Sequence, residues 1–203
     1  MLLAVSKTFS ADMIREAYRA GQTCFAESYV QEALGKIAAL RDLDIKWHYI
    51  GPVQSNKTRA IAENFAWVHS VDRLKIAERL SEQRPAHLPP LQVCIQVNIS
   101  REKTKSGVLP NEASGLAHTI AKLPGLTLRG LMAIPAPSNE PAALRRPFAQ
   151  LRKLCDDLNR QGLELYTLSM GMSHDYPAAI AEGATIVRIG TAIFGARNYG
   201  AEK

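Results

Sequence analysis

Leu2-Leu3-Ala4-Val5-Ser6-Lys7-Thr8-Phe9 is the stretch that decides the fold. Its first five residues read as a short buried strand, and the turn that follows contains no glycine. An open doubly wound sheet usually places a Gly-rich turn after its first strand, so that architecture loses its main marker here. Further along, short apolar runs alternate with helical patterns. Strands are predicted at 2–6, 23–27, 46–51, 67–72, 92–99, 128–134, 167–171 and 186–190, and helices at 11–20, 28–40, 55–65, 73–84, 110–123, 142–160 and 174–182. Ser55 is expected to cap the third helix and Gly162 to close the longest. Eight strands alternating with helices predict a parallel sheet closed into a single (β/α)8 TIM-type barrel domain over 1–203.

A barrel of this kind carries its chemistry where the strands end. Lys7 follows the first predicted strand, Glu27 and Ser28 the second, and His48 and Gly51 lie on the third. Asp72 ends the fourth, Asn98 lies near the end of the fifth, and Met132 and Pro135 lie near the end of the sixth. Ser169 and Ser173 belong to the seventh and Arg188 to Thr191 to the eighth. Polar groups far apart in sequence thus converge on one rim.

Within that rim, a lysine at the carboxyl end of a buried strand suits imine chemistry, because partial burial favours the neutral amine that attacks a carbonyl. On this stretch alone, a lysine reaching into solvent remains the alternative. Gly171-Met172-Ser173 and Gly190-Thr191 offer backbone N–H groups and hydroxyls after the last two strands, where barrels often hold a phosphate. Gly190 taken alone also reads as a packing glycine. Arg188 shares a strand face with Gly190 and points into the mouth. Its permanent charge needs an acceptor, either Asp72 or Asp175 in an internal ion pair or a ring nitrogen of a bound cofactor. An amine, a phosphate cradle and an arginine for a ring nitrogen together describe a pyridoxal 5′-phosphate (PLP) site.

Composition narrows the classes. The 203 residues are 46% hydrophobic and carry 25 basic and 19 acidic side chains, a net charge of +6. The basic residues are scattered, with no stripe for nucleic acid. Cys24, Cys94 and Cys155 form no C-x-x-C pair, so neither a disulfide framework nor a zinc site is indicated, and a cytoplasmic location is expected. No apolar run is long enough for a membrane helix. Trp47 and Trp67 read as core, Cys24 and Cys94 as small buried hydrophobes, and His69, His118 and His174 as packed or solvent-facing histidines. Lys57, Lys103 and Lys105 read as loop lysines, with Lys105 alone a candidate second aldehyde-binding amine.

The chain resembles the pyridoxal phosphate homeostasis protein family, whose fold is similar to the barrel domain of alanine racemases. The resemblance is carried by LLAVSKT at 2–8, FAESYVQEA at 25–33, WHYIGPVQSNKTR at 47–59, VHSVDRL at 68–74, IQVNISREKTKSG at 95–107, LRGLMAIPAP at 128–137 and LSMGMSHDYPAAIAEGATIVRIGTAIFGAR at 168–197. It implies that Lys7 forms the Schiff base with PLP. It implies also that Ser173, Gly190 and Thr191 hold the phosphate and Arg188 the pyridine nitrogen, with Ser28, His48, Asn98, Met132 and Ser169 lining the pocket. Ala26 and Ser28 stand where the family usually has Gly and Asn. Family members normally begin with a helical segment ahead of the first strand; here the chain begins on that strand, which is expected to leave apolar surface near strands one and eight.

Three functions share these residues. The resemblance implies a non-enzymatic PLP carrier or regulator of vitamin B6 and amino-acid balance; PLP-dependent apoenzymes are the candidate recipients, and a monomer or weak homodimer is expected. A single-domain amino-acid racemase is the second reading, although the racemases set a tyrosine from a second domain opposite the lysine and this chain ends at Lys203. A Schiff-base aldolase acting on a phosphorylated substrate is the third. It needs the lysine and the phosphate site but no partner for a ring nitrogen.

Overall fold

A computed structural model describes residues 1–102, 105–138 and 140–196. Lys103, read above as a loop lysine, lies outside the described residues. Among the described residues, eight strands form one parallel sheet: β1 (Leu2–Val5), β2 (Cys24–Glu27), β3 (Lys46–Tyr49), β4 (Trp67–Val71), β5 (Leu91–Gln96), β6 (Leu126–Met132), β7 (Thr167–Ser169) and β8 (Val187–Ile189). Their order is β7-β6-β5-β4-β3-β2-β1-β8. The two ends meet through a parallel bridge between Ser169 and Ile186, reinforced by the Met170 N–H donating to the Ile186 carbonyl at 3.1 Å. The sheet therefore closes as a barrel, as predicted.

Helices α1 (Ala11–Arg19), α2 (Val30–Ala39), α3 (Thr58–Asn64), α4 (Leu74–Glu82), α5 (Ala113–Ile120), α6 (Pro141–Arg160), α7 (Tyr176–Ala181) and α8 (Thr191–Phe194) alternate with the strands. The predicted elements are all present, most of them trimmed at the ends. One capping expectation is corrected. Ser55 opens a 3-10 turn, Ser55–Lys57, and no side chain caps α3. The Ser55 carbonyl instead accepts from Thr58 Oγ1 at 2.9 Å and Arg79 Nε at 3.1 Å. At α1 the cap is Ser10, whose hydroxyl accepts from the Met13 N–H. Gly162 follows α6 at φ +94°, the left-handed stop expected of it.

The strand period of two divides the apolar residues into two cores. Ala4, Phe25 and Val93 pack outward against helix residues such as Ile14, Ile61 and Ile76. Leu3, Val5, Ala26 and Ile186 make a smaller cluster inside the barrel. Trp47 and Cys94 are buried as predicted, whereas Trp67 and Cys24 are only partly so. Apolar surface does lie near the first and last strands: a cavity of about 500 Å³ is bordered by Leu2, Met13, Ala17, Ile193 and Phe194. No described helix is long and apolar enough to cross a membrane.

Candidate functional site

At the carboxyl rim a cavity of about 250 Å³ is lined by Val5, Lys7, Ser28, Ile50, Ile134, Met172, Ser173, His174, Arg188, Gly190 and Thr191. Among the described residues, Lys7, Arg188 and the hydroxyls of Ser28, Ser173 and Thr191 face it, and no carboxylate does. Such a lining suits a small anion with an apolar body.

Each side chain is placed by its element. Lys7 is two residues past β1 and half-buried, with Nζ 6.0 Å from the centre of the Tyr29 ring. Ser28 follows β2, and its carbonyl accepts from Tyr49 Oη at 3.1 Å. Gly51 passes so close to this segment that a Cβ there would lie 2.1 Å from the Ser28 carbonyl oxygen. Gly51→Ala must therefore displace Ser28, and overpacking of this kind costs about 1–3 kcal/mol. A urea midpoint equal to that of the parent would refute this.

Arg188 is fully buried, and its guanidinium explains the barrel's polar interior. Nη1 donates to Ser169 Oγ at 2.8 Å and Nη2 to the Ala133 carbonyl at 2.9 Å. Neither aspartate offered above forms an ion pair with it. A guanidinium has five N–H groups, so these two bonds leave donors for a ligand in the cavity it lines. Arg188 donates to Ser169 Oγ, which leaves the Ser169 hydroxyl proton free to serve His69 Nδ1, 2.7 Å away, when that nitrogen is unprotonated. In that tautomer His69 carries its proton on Nε2 and donates to His48 Nδ1, 2.9 Å away; in the other tautomer the direction reverses. His48 Nε2 is buried with no hydrogen-bond partner among the described residues, and the His48 ring stacks on Trp67 at 5.4 Å. Burial holds both histidines below the ordinary imidazole value, His48 at about 3. Burial likewise lowers Arg188 to about 10, which leaves it charged at neutral pH.

The structure thus gathers Lys7, Ser28, Ser173, Arg188, Gly190 and Thr191 around one cavity. It does not bring His48, Asn98, Met132 or Ser169 to the cavity lining. His48 and Ser169 lie beneath it in the Arg188 chain, and Met132 is fully buried in β6. Asn98 braces the loop after β5, donating from Nδ2 to the Glu102 carbonyl at 2.8 Å. Lys105, the candidate second amine, pairs with Glu102 at 2.8 Å. His174 lines the cavity beside Asp175, 3.3 Å away, while its side chain is half-exposed. His69 was undervalued in the sequence. The available signal was its spacing of two from Trp67, which the sheet register sets opposite His48.

Comparison with known proteins gives the family and the fold. Residues 1–198 match the alanine racemase N-terminal domain family. The pyridoxal phosphate homeostasis protein of Pseudomonas aeruginosa is 65% identical over 200 residues, which cover 98% of this chain and 86% of that one. The chain belongs to the pyridoxal phosphate homeostasis protein family. Among solved structures, PipY of Synechococcus elongatus without PLP is 43% identical, with a TM-score of 0.91 over 96% of this chain and 92% of that chain. PipY with PLP bound gives 0.89 at 42% identity over the same shares.

Proposed function

We propose that this chain is a PLP-holding barrel domain that carries or buffers the cofactor without turning over a substrate. The observation that carries this reading is the convergence of Lys7, Arg188, Ser173, Gly190 and Thr191 on one cavity. Membership of a family whose members are named for pyridoxal phosphate homeostasis supports it, as does the PLP-bound form of PipY.

When bound, PLP supplies an aldehyde carbon open to an amine, an anionic phosphate and an electron-withdrawing ring. Lys7 Nζ would serve as the amine. Ser173, Gly190 and Thr191 would hold the phosphate, and Arg188 would donate to the pyridine nitrogen. Among the lining residues, apolar Val5, Ile50, Ile134 and Met172 would flank the ring. Arg188 is a donor that keeps its proton, so it discourages a proton on the ring nitrogen and blunts the ring as an electron sink. That bias favours holding PLP over activating an amino acid. A lysine linkage is reversible, which suits release to PLP-dependent apoenzymes carrying lysines of their own. The free thiols of Cys24, Cys94 and Cys155 fit a reducing cytoplasm.

The test is to load the protein with PLP, reduce it with borohydride and map the pyridoxyl group by mass spectrometry. It should lie on Lys7 and be absent from that segment in a folded Lys7→Ala variant; a group found only on other lysines would overturn the assignment. Turnover of amino acids at saturating concentration would overturn the non-catalytic part alone.

A further inference from the structure

Behind Lys7, on the outer face of the sheet, lies a buried polar cluster that touches none of the cavity. Period two turns Ser6 and Glu27 outward, toward α2, while Lys7 turns inward. Lys36, buried on α2, donates from Nζ to the Ser6 carbonyl at 2.7 Å and to Glu27 Oε1 at 2.8 Å. It also pairs with Glu32 Oε1 at 2.5 Å, one helical turn away. The same Glu32 oxygen accepts from the Thr8 N–H at 2.5 Å. Ser6 closes the cluster, donating from Oγ to Glu27 Oε1 at 2.6 Å. The backbone groups gripped from α2 are thus the carbonyl before Lys7 and the amide after it.

We infer that Glu32 and Lys36 are positioning residues for Lys7: they clamp the chain on both sides of it and so direct its amine into the cavity. Thr8 gives the clamp its purpose. Its φ of 71° is left-handed, a region that a β-branched residue adopts only when its surroundings impose it. That turn sends the chain toward α1 while Lys7 stays aimed at the rim. Without the acceptor on its amide, Thr8 relaxes toward an ordinary φ, and Lys7 rotates with it. The cluster also explains why Glu27, at a strand end beside the site, does not face the cavity. It is completely buried, its carboxyl is held above the usual carboxylate range chiefly by burial, and Lys36 and Ser6 share its Oε1.

This inference rests on Lys7 being the PLP-linked residue, and the experiment separates the two. Glu32→Ala and Glu32→Asp both withdraw the acceptor from the Thr8 amide, whereas Glu32→Gln keeps an oxygen at that reach. In the PLP-free proteins, hydrogen exchange at the Thr8 amide should quicken in the Ala and Asp variants and stay near the parent's in Gln. On adding PLP, the rate at which visible absorbance appears and Lys7 becomes trappable by borohydride should fall by at least about tenfold in Ala and Asp. A misplacement of roughly 1 Å is enough for that. The Gln variant should recover most of the rate. A parent rate at Lys7 in either folded variant, Ala or Asp, overturns the clamp. No pyridoxyl on Lys7 of the parent overturns the PLP reading instead, and Thr8 exchange still reports whether the clamp exists.

Discussion

Acidification from about pH 7.5 to about pH 4.5 should remove about 3 kcal/mol of stability through His48 alone. The native ring titrates at about 3, against 6.5 for an ordinary imidazole, chiefly because it is buried and secondarily because of Lys46. Between those values the unfolded chain binds a proton that the native state refuses, so stability rises with pH at about 1.36 kcal/mol per unit. The loss therefore begins as pH falls through 6.5 and is complete only near 3. His69 acts in the same direction, pushed down by burial, by His48 and by Arg188. Glu27 opposes them: its raised native value means that stability falls as pH rises from 4.5 toward that value. Asp42, held down to about 2 by Arg15, titrates below this window. Urea unfolding at the two pH values checks the sum, and the contrast with His48→Gln isolates the ring, because the variant should lose less. Equal midpoints for the parent at both pH values would sink the prediction.

The same histidines show where sequence reasoning succeeds and where it stops. The barrel was legible because strand and helix periods alternate without a Gly-rich first turn, and the rim followed from the fold alone. Lys7, Ser173, Arg188, Gly190 and Thr191 come together because each lies just past or on a strand end. The expectation sets His48 and Ser169 in the pocket, whereas the cavity lining includes neither and both join the polar chain behind Arg188. Period two tells which face of a strand a residue shares; it does not tell how deep in the barrel that residue sits. Depth depends on shear and on irregular registers such as the shift between Val68 and Val71, which flanks His69. The cluster of Ser6, Glu27, Glu32 and Lys36 was harder still. Its members face the helical layer, and the i, i+4 pair of Glu32 and Lys36 looks like an ordinary surface pair. Only the packing of α2 on the ends of β1 and β2 turns that pair into a grip on the backbone around Lys7.

Arg188→Ala should weaken PLP retention by roughly tenfold to a hundredfold while leaving the unfolding midpoint near that of the parent. The first half follows from the loss of a hydrogen bond from a charged donor, about 1.5–3 kcal/mol, with 1.4 kcal/mol per factor of ten. The second half follows from two opposing effects in the PLP-free protein. Burial lowers the guanidinium to about 10, so keeping it charged in the barrel costs about 3 kcal/mol, which the variant recovers. Against that, the Ala133 carbonyl loses its donor, and Ser169 keeps only its bond to His69, a loss of about 1–3 kcal/mol. Arg188→Lys should not restore retention, because one ammonium cannot serve Ser169, the Ala133 carbonyl and the cavity together. Equilibrium dialysis with PLP, set beside urea unfolding of the same samples, checks both halves. Parent-level retention in Arg188→Ala would show that the arginine serves only Ser169 and Ala133, and that the polar chain down to His48 exists for the barrel itself.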